Sequence, residues 1–295
     1  MQVGQGAQSI VERFALLPSL PPTGGRNLSG PTFMSNEEDH MYTKIFSAIV
    51  VILVSAVICS AQSVLYFPQF VDGGSIGSGF WGSIVAVSNP AALGTAAVTG
   101  TVTLTNPNGT PLNRQFYDET GAPIPNTFQL AGGQTKLFQS PIFAGSLLPF
   151  TAGYATVTSS SPVAAGLVFL EGNSSGAVIS TAGVPATTPL MKQATVAVRD
   201  NTSNTGVAIA YPGTGAATVT FQLLDKSGAL IVPAIAKNFG SNNQTALFIS
   251  ELFPNAPTTI TGTLRILSDQ PVAVVALLIV QPQGLLSTIP VFPVQ

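Results

Sequence analysis

The chain has 295 residues, a formal net charge of −2, and 7 % charged against 45 % hydrophobic residues. That balance excludes an electrostatic footprint for nucleic acid, a polybasic face for an anionic bilayer, and the composition of a disordered chain. At roughly 100–200 residues per domain the length suits about two domains. The 29 glycines and 23 prolines read as punctuation between many short strands.

Residues 1–40 carry no sustained hydrophobic period and contain Pro-Pro and Gly-Gly breakers. Glu37, Glu38 and Asp39 place negative charge ahead of an apolar run. A secretory signal wants positive charge there, so this segment is expected to be unstructured, an over-extended gene start with translation from Met41. The run itself, Ile45 to Ala61, follows Lys44 and ends in small residues. Its 17 residues include three serines, and a bilayer core needs roughly 20 apolar ones. Residues 41–63 are therefore expected to be a signal peptide cleaved after Ala61 or Ser63, in preference to a retained membrane anchor. The expected location is secreted or at the cell surface. Cys59, the only cysteine, lies inside the run behind Ala56-Val57-Ile58, a poor acylation context. Beyond the signal no cysteine or histidine remains, because the only histidine is His40. Disulfides, thiolate zinc sites and Ser-His or Cys-His catalysis are thereby excluded from the mature chain.

Two copies of one pattern follow. Gln134-Thr135-Lys136-Leu137-Phe138, trailed by Phe143, aligns with Gln244-Thr245-Ala246-Leu247-Phe248, trailed by Phe253, at an offset of 110. The stretch from Gly153 to Ala164 aligns with Gly262 to Ala273 at an offset of 109. Upstream, Ile84 to Pro90 matches Val207 to Pro212 and Asp72 matches Asp200; the wider offset there reflects extra residues in the first copy around Leu112 to Asn126.

The repeated blocks read as strands. Val102 and Leu104 alternate with Thr101, Thr103 and Thr105, and Val219, Phe221 and Leu223 alternate with Thr220 and Gln222; this is the period of half-buried antiparallel strands. The continuously apolar runs Val163 to Leu170 and Val272 to Val280 suit strands covered on both faces. Asn106-Pro107-Asn108-Gly109 and Asp225-Lys226-Ser227-Gly228 supply turns, and Ser250 to Pro254 suits one helical turn capped by Ser250. With about seven short strands per copy, the expected fold is all-β: two tandem antiparallel sandwich modules of the immunoglobulin-like kind, residues 64–188 and 189–295.

Ser268-Asp269-Gln270-Pro271-Val272 with a closing Pro293-Val294, echoed by Ser160-Ser161-Pro162-Val163 and Val184-Pro185, resembles the tandem immunoglobulin-like or fibronectin-like repeats of secreted bacterial proteins of unassigned function. The resemblance spans Leu65 to Gln295. It implies an extracellular sandwich and brings no catalytic residue.

Chemistry is sparse. Eight carboxylates remain in the mature chain: Asp72, Asp118, Glu119, Glu171, Asp200, Asp225, Glu251 and Asp269. Most sit where Asp forms turns. Asp118 and Glu119, in the insertion peculiar to the first copy, are the only pair suited to two-carboxylate glycoside hydrolysis. No Asp-x-Asp-x-Asp run suggests calcium, and Gly73 to Gly79 lacks the lysine of a phosphate loop. No cofactor is expected. Among aromatics, Phe80, Trp81, Phe116, Tyr117, Tyr154 and Tyr211 could offer rings to sugars or pack inward, with Tyr117 the best placed for exposure. The expected function is a non-catalytic binding or structural pair for an extracellular protein or polysaccharide, with Trp81, Tyr117, Asp118 and Glu119 as candidate binding residues. The alternatives are a carbohydrate-binding module and, behind it, a two-carboxylate hydrolase.

Overall fold

Alternation of Val, Leu and Phe with Thr makes strands wherever one face is wet, and those strands assemble here into four sheets. The computed structural model describes residues 64–75, 79–144, 148–173, 177–201, 203–280 and 284–294; the expectations for residues 1–63 lie outside these. The first module holds β1 (Val64–Ser75), β2 (Gly79–Ser88), β3 (Val98–Thr105), β4 (Phe116–Tyr117), β5 (Pro123–Ile124), β6 (Thr127–Leu130), β7 (Thr135–Gln139), β8 (Thr151–Ser159), β9 (Ala164–Gly172) and β10 (Val178–Pro185), with a 3₁₀ turn at Pro141–Ala144. Sheet A runs β6-β3-β8-β1 and sheet B runs β5-β4-β7-β2-β9-β10. All these pairings are antiparallel. β1 belongs to both sheets, pairing with β8 up to Asp72 and with β2 from Gly73 to Ser75.

The second module repeats the path with β11 (Met191–Asp200), β12 (Ser203–Ala210), β13 (Ala217–Leu224), β14 (Ile235–Phe239), β15 (Gln244–Phe248), helical turn α1 (Ile249–Leu252), β16 (Ile260–Val280), β17 (Leu285–Ile289) and β18 (Val291–Pro293). Sheet C runs β14-β13-β16-β11-β18 and sheet D runs β15-β12-β16-β17. What β8 and β9 do as separate strands, β16 does as one strand of 21 residues that passes from sheet C into sheet D through Ser268 to Pro271. The chain is thus the expected all-β pair of antiparallel sandwiches, with more strands per module than the seven foreseen.

Three local devices recur in both copies. Ser83 Oγ accepts the Val71 amide and donates to its carbonyl (3.1 and 2.7 Å), and Thr205 Oγ1 does the same for Arg199 (3.1 and 3.3 Å). Each hydroxyl joins the first strand of its module to the second where the chain changes sheets. Gly153 and Gly262 stand where an added Cβ would meet the Thr105 or Leu224 carbonyl at 2.1 or 2.0 Å, so only glycine allows the strands to approach. Third, Asp72 and Asp200 close equivalent pairings, opposite Thr151 and Ile260. They are buried strand residues, not the turn formers expected.

Register corrects one sequence match. Phe138 lies opposite Val85, while Leu247 lies opposite Val207, so the two strands correspond at an offset of 109 and not 110. A one-residue slip turns every side chain over. Phe138 consequently enters the first core, edge-on to Phe116 and Phe128 at 5.5 and 6.2 Å, whereas Phe248 faces the neighbouring module. The helical turn also differs from expectation: its first amide, Phe248 N, is held by the Glu251 carboxylate at 3.0 Å, and Ser250 lies inside the helix.

Burial explains the continuously apolar runs. On β16, Val275, Leu277 and Ile279 face the first module, while Val274 and Ala276 face the interior of their own. Leu65, Phe67, Phe70, Leu167 and Phe169 of the first module and Ile209, Phe221, Leu223 and Leu264 of the second belong to one continuous apolar cluster. Each such side chain contributes roughly 1.5–3 kcal/mol when fully buried. Polar bonds finish the seam. Leu286 N donates to Ser180 Oγ (2.8 Å), Thr187 Oγ1 to the Val274 carbonyl (3.1 Å), and Gln244 Nε2 to the Pro68 carbonyl (3.2 Å) and to Gln69 Oε1.

Candidate functional site

Trp81 stands at the start of β2, opposite Gly73 on one side and Glu171 on the other. It is 8 % exposed and, with Val71, Phe169, Phe248 and Leu277, lines a cavity of about 40 Å³ in the seam between modules. That space is far below the roughly 300–1,000 Å³ of a small-ligand site, and its apolar lining disfavours water. Phe80, Phe116, Tyr154 and Tyr211 are buried as well, so these rings form no sugar platform. The burial of Trp81 follows from the second module, whose Phe248 and Leu277 line the same cavity.

Tyr117 on β4 is half-buried, between Pro123 of β5 and Gln139 of β7. The next residue, Asp118, holds its own turn: Oδ1 accepts the Thr120 amide (2.9 Å), the Thr120 hydroxyl (2.6 Å) and the Ala122 amide (2.9 Å). Those bonds, the Thr120 hydroxyl foremost, hold the carboxyl below its ordinary range. Asp225 repeats the arrangement with Ser227 and Ala229 and is lowered likewise. A general acid needs the opposite shift. Glu119 is exposed on the same turn.

Two ionisable clusters were not singled out from sequence. Asp72, fully buried, lies 3.5 Å from Arg114 Nε, and Arg114 Nη2 also donates to the Pro149 carbonyl (3.2 Å) and to Thr151 Oγ1. Burial raises the Asp72 pKa; the Ser140 hydroxyl, the Arg114 charge and the amides of Ile142 and Gly73 oppose it without completing a hydrogen bond to either oxygen. The pair ties the insertion to the end of β1. Glu171 is 5 % exposed, and its Oε2 has no hydrogen-bond partner. Burial pushes its pKa up to about 7. Only its place at the end of the apolar strand Val163 to Leu170 could have signalled this. Among the described residues no group of three or more His, Cys, Asp or Glu side chains is placed to hold a metal ion.

The fold and these sites define a class: a chain of two tandem antiparallel sandwiches with its carboxylates set singly into turns, strand ends and core. No family model matches it, and no curated protein does. Among solved structures it is similar to the major pilin subunit of Bacillus cereus, with 8 % identity over 80 % of this chain and 67 % of that one and a TM-score of 0.20. It is also similar to a β-glucuronidase from glycoside hydrolase family 2, with 8 % identity over 79 % of this chain and a TM-score of 0.15; that likeness spans 24 % of the enzyme.

Proposed function

We propose that the chain is exported and acts outside the cytoplasm as a non-catalytic pair of binding or structural modules, engaging a surface polymer or protein. The employment of its carboxylates supports this reading. Asp118 and Asp225 are fixed by their own turns, Asp72 and Asp200 are buried at strand ends, Glu251 holds the α1 amide, and Asp269 accepts the Thr218 amide at 2.9 Å. Glu171 is enclosed, which leaves Glu119 as the one described carboxylate at large on the surface. Two-carboxylate hydrolysis needs an acid and a base or nucleophile facing one bond, about 5–10 Å apart.

The test presents residues 64–295 to a panel of immobilised polysaccharides and cell-surface proteins. Retention on at least one without turnover is the expected result. Turnover that Asp118→Asn or Glu119→Gln abolishes would overturn the reading in favour of a hydrolase.

A further inference from the structure

The outer faces of sheets A and C occupy equivalent places in the two modules but carry different chemistry. Across sheet A one row reads Tyr66, Thr156, Thr103, and no cation lies on any of its strands. Across sheet C the corresponding row reads Phe292, Thr195, Arg265, Gln222, one side chain from each of four neighbouring strands. At about 4.8 Å between strands the row is about 14 Å long. Its inward neighbours Val196, Phe221, Leu223, Leu264 and Ile266 are buried, which fixes the row on the solvent side. Phe292 is 58 % exposed.

Charge is concentrated on this sheet. Every cation of the second module, Lys192, Arg199, Lys226, Lys237 and Arg265, lies on a strand of sheet C or in the turn between β13 and β14. Arg199 shares the outer face of β11 with Thr195, and Lys237 guards the edge strand β14. Asp200 is buried, and Asp225 and Asp269 each direct Oδ1 to backbone amides of their own surroundings, Ser227 and Thr218, and not to these cations. Among the described residues the ion pair found is Asp72–Arg114, in the other module.

At the edge of this sheet, beside Phe292, a groove of about 810 Å³ runs between the inter-module segment and β18, lined on β18 by Val291 and Pro293. Gln193, two residues before Thr195 on β11, belongs to both. Lys192, Leu190 and Pro293 also line the groove, as does Thr188, whose buried Oγ1 has no hydrogen-bond partner. Its size lies within the range of small-ligand sites, roughly 300–1,000 Å³.

We infer that this groove and the row beside it form a binding site for an acidic polysaccharide, a chain of sugars bearing carboxylates. The inference rests on the proposed binding role and specifies its ligand class. The row on β13, β16 and β11 offers side chains only, because the backbone groups of these inner strands are spent in the ladder; the open edge of β18 is where an extended peptide would add, which the acidic-peptide arm of the test below addresses. The ring of Phe292 suits the apolar face of a sugar. Gln193, Gln222 and Thr188 suit hydroxyls, and Arg265 presents a planar fork for a carboxylate, with Lys192 as a second positive point.

Titration calorimetry with polygalacturonate, with dextran as its neutral counterpart and poly-glutamate as an acidic peptide, tests the assignment on residues 64–295. Binding to polygalacturonate alone is expected, weakened tenfold or more by Arg265→Gln and by Phe292→Ala, and weakened as salt rises, while both variants melt like the parent. Equal binding to dextran or poly-glutamate overturns it, as does binding that neither variant alters. No binding to polygalacturonate overturns it too, and retention of another polymer or protein in the panel above would then leave the broader role standing.

Discussion

The two modules follow one path, and the positions where their residues diverge show what each is packed against. Toward its neighbour the first module presents Val71, Trp81 and Phe169; pairing places Arg199, Ser203 and Leu278 at the equivalent positions of the second. Arg199 is exposed, and Ser203 Oγ donates to the Arg199 carbonyl at 2.9 Å. Of these three, Arg199 meets water, Ser203 is buried and bonded within its own module, and Leu278 is half-buried, so the second module lacks the ring and the apolar flank that the first presents to its neighbour. The difference teaches that the modules are not interchangeable beads. The first is built to be covered by the second.

The sharpest way to break that comparison is at Trp81. Trp81→Ala is expected to cost roughly 3–5 kcal/mol, as for a large buried aromatic. The apolar cluster is continuous across the seam, so urea unfolding should remain a single transition for parent and variant alike. Leu278→Ala, at the half-buried equivalent of Phe169, should cost far less than Phe169→Ala. Trp81 is the only tryptophan, which makes its fluorescence a direct probe of the seam, to be compared with far-ultraviolet dichroism of all strands. Two separated transitions would show that the modules fold independently.

A second contrast lies four residues after Leu167, where Glu171 occupies the place that Val280 takes on β16. Its carboxyl, ordinarily near 4.5, is pushed to about 7 by burial. The unfolded chain therefore releases this proton first as pH rises. The contribution of this group to stability is greatest below pH 4.5, falls between pH 4.5 and 7, and is level above. The total loss is roughly 3 kcal/mol, at 1.36 kcal/mol per pKa unit. Glu171→Gln should match the parent at pH 4 and exceed it at pH 8 by up to that amount in urea titrations. A parent and variant that differ equally at both pH values would show that the carboxyl is already hydrated.

Legibility in the sequence divided along the same lines. Strands with one wet face, such as β3 and β13, declared themselves by Thr alternation, and both-face burial of β9 and the second half of β16 was visible in their unbroken apolar runs. The stacking of one module on the other was not. Nothing local distinguishes a ring that fills a seam from one that meets a ligand, so Trp81 read as a binding residue. The shared Gln-Thr-x-Leu-Phe motif misled by one position because strand register is decided by pairing across the sheet and not by similarity along it. Asp118 was found as a feature but not as a turn holder, since its three donors, two amides and the Thr120 hydroxyl, meet it only once the turn has formed. Arg265 and Phe292 escaped notice because 27 residues separate them along the chain and only β11, lying between their strands, aligns them.

The smallest effect is the most discriminating about common ancestry of form. Ser83 and Thr205 make the same two bonds to Val71 and Arg199, across the point where each module changes sheets. Ser83→Ala and Thr205→Val each remove a donor and an acceptor from a site with no access to water, at roughly 1–3 kcal/mol; in the second module the Arg199 carbonyl keeps its bond from Ser203 Oγ at 2.9 Å, so there only the Arg199 amide loses this partner. Thr205 has a second anchor, its amide bound to Asp200 Oδ1 at 2.7 Å, and this survives the substitution. The valine variant should therefore sit at the lower end of that range and the alanine variant at the upper. Thr205→Ser, which keeps the hydroxyl, should cost less than Thr205→Val in the same urea titrations. A serine variant as unstable as the valine one would mean that the methyl group and its packing, not the paired hydrogen bonds, is what the two modules have in common here.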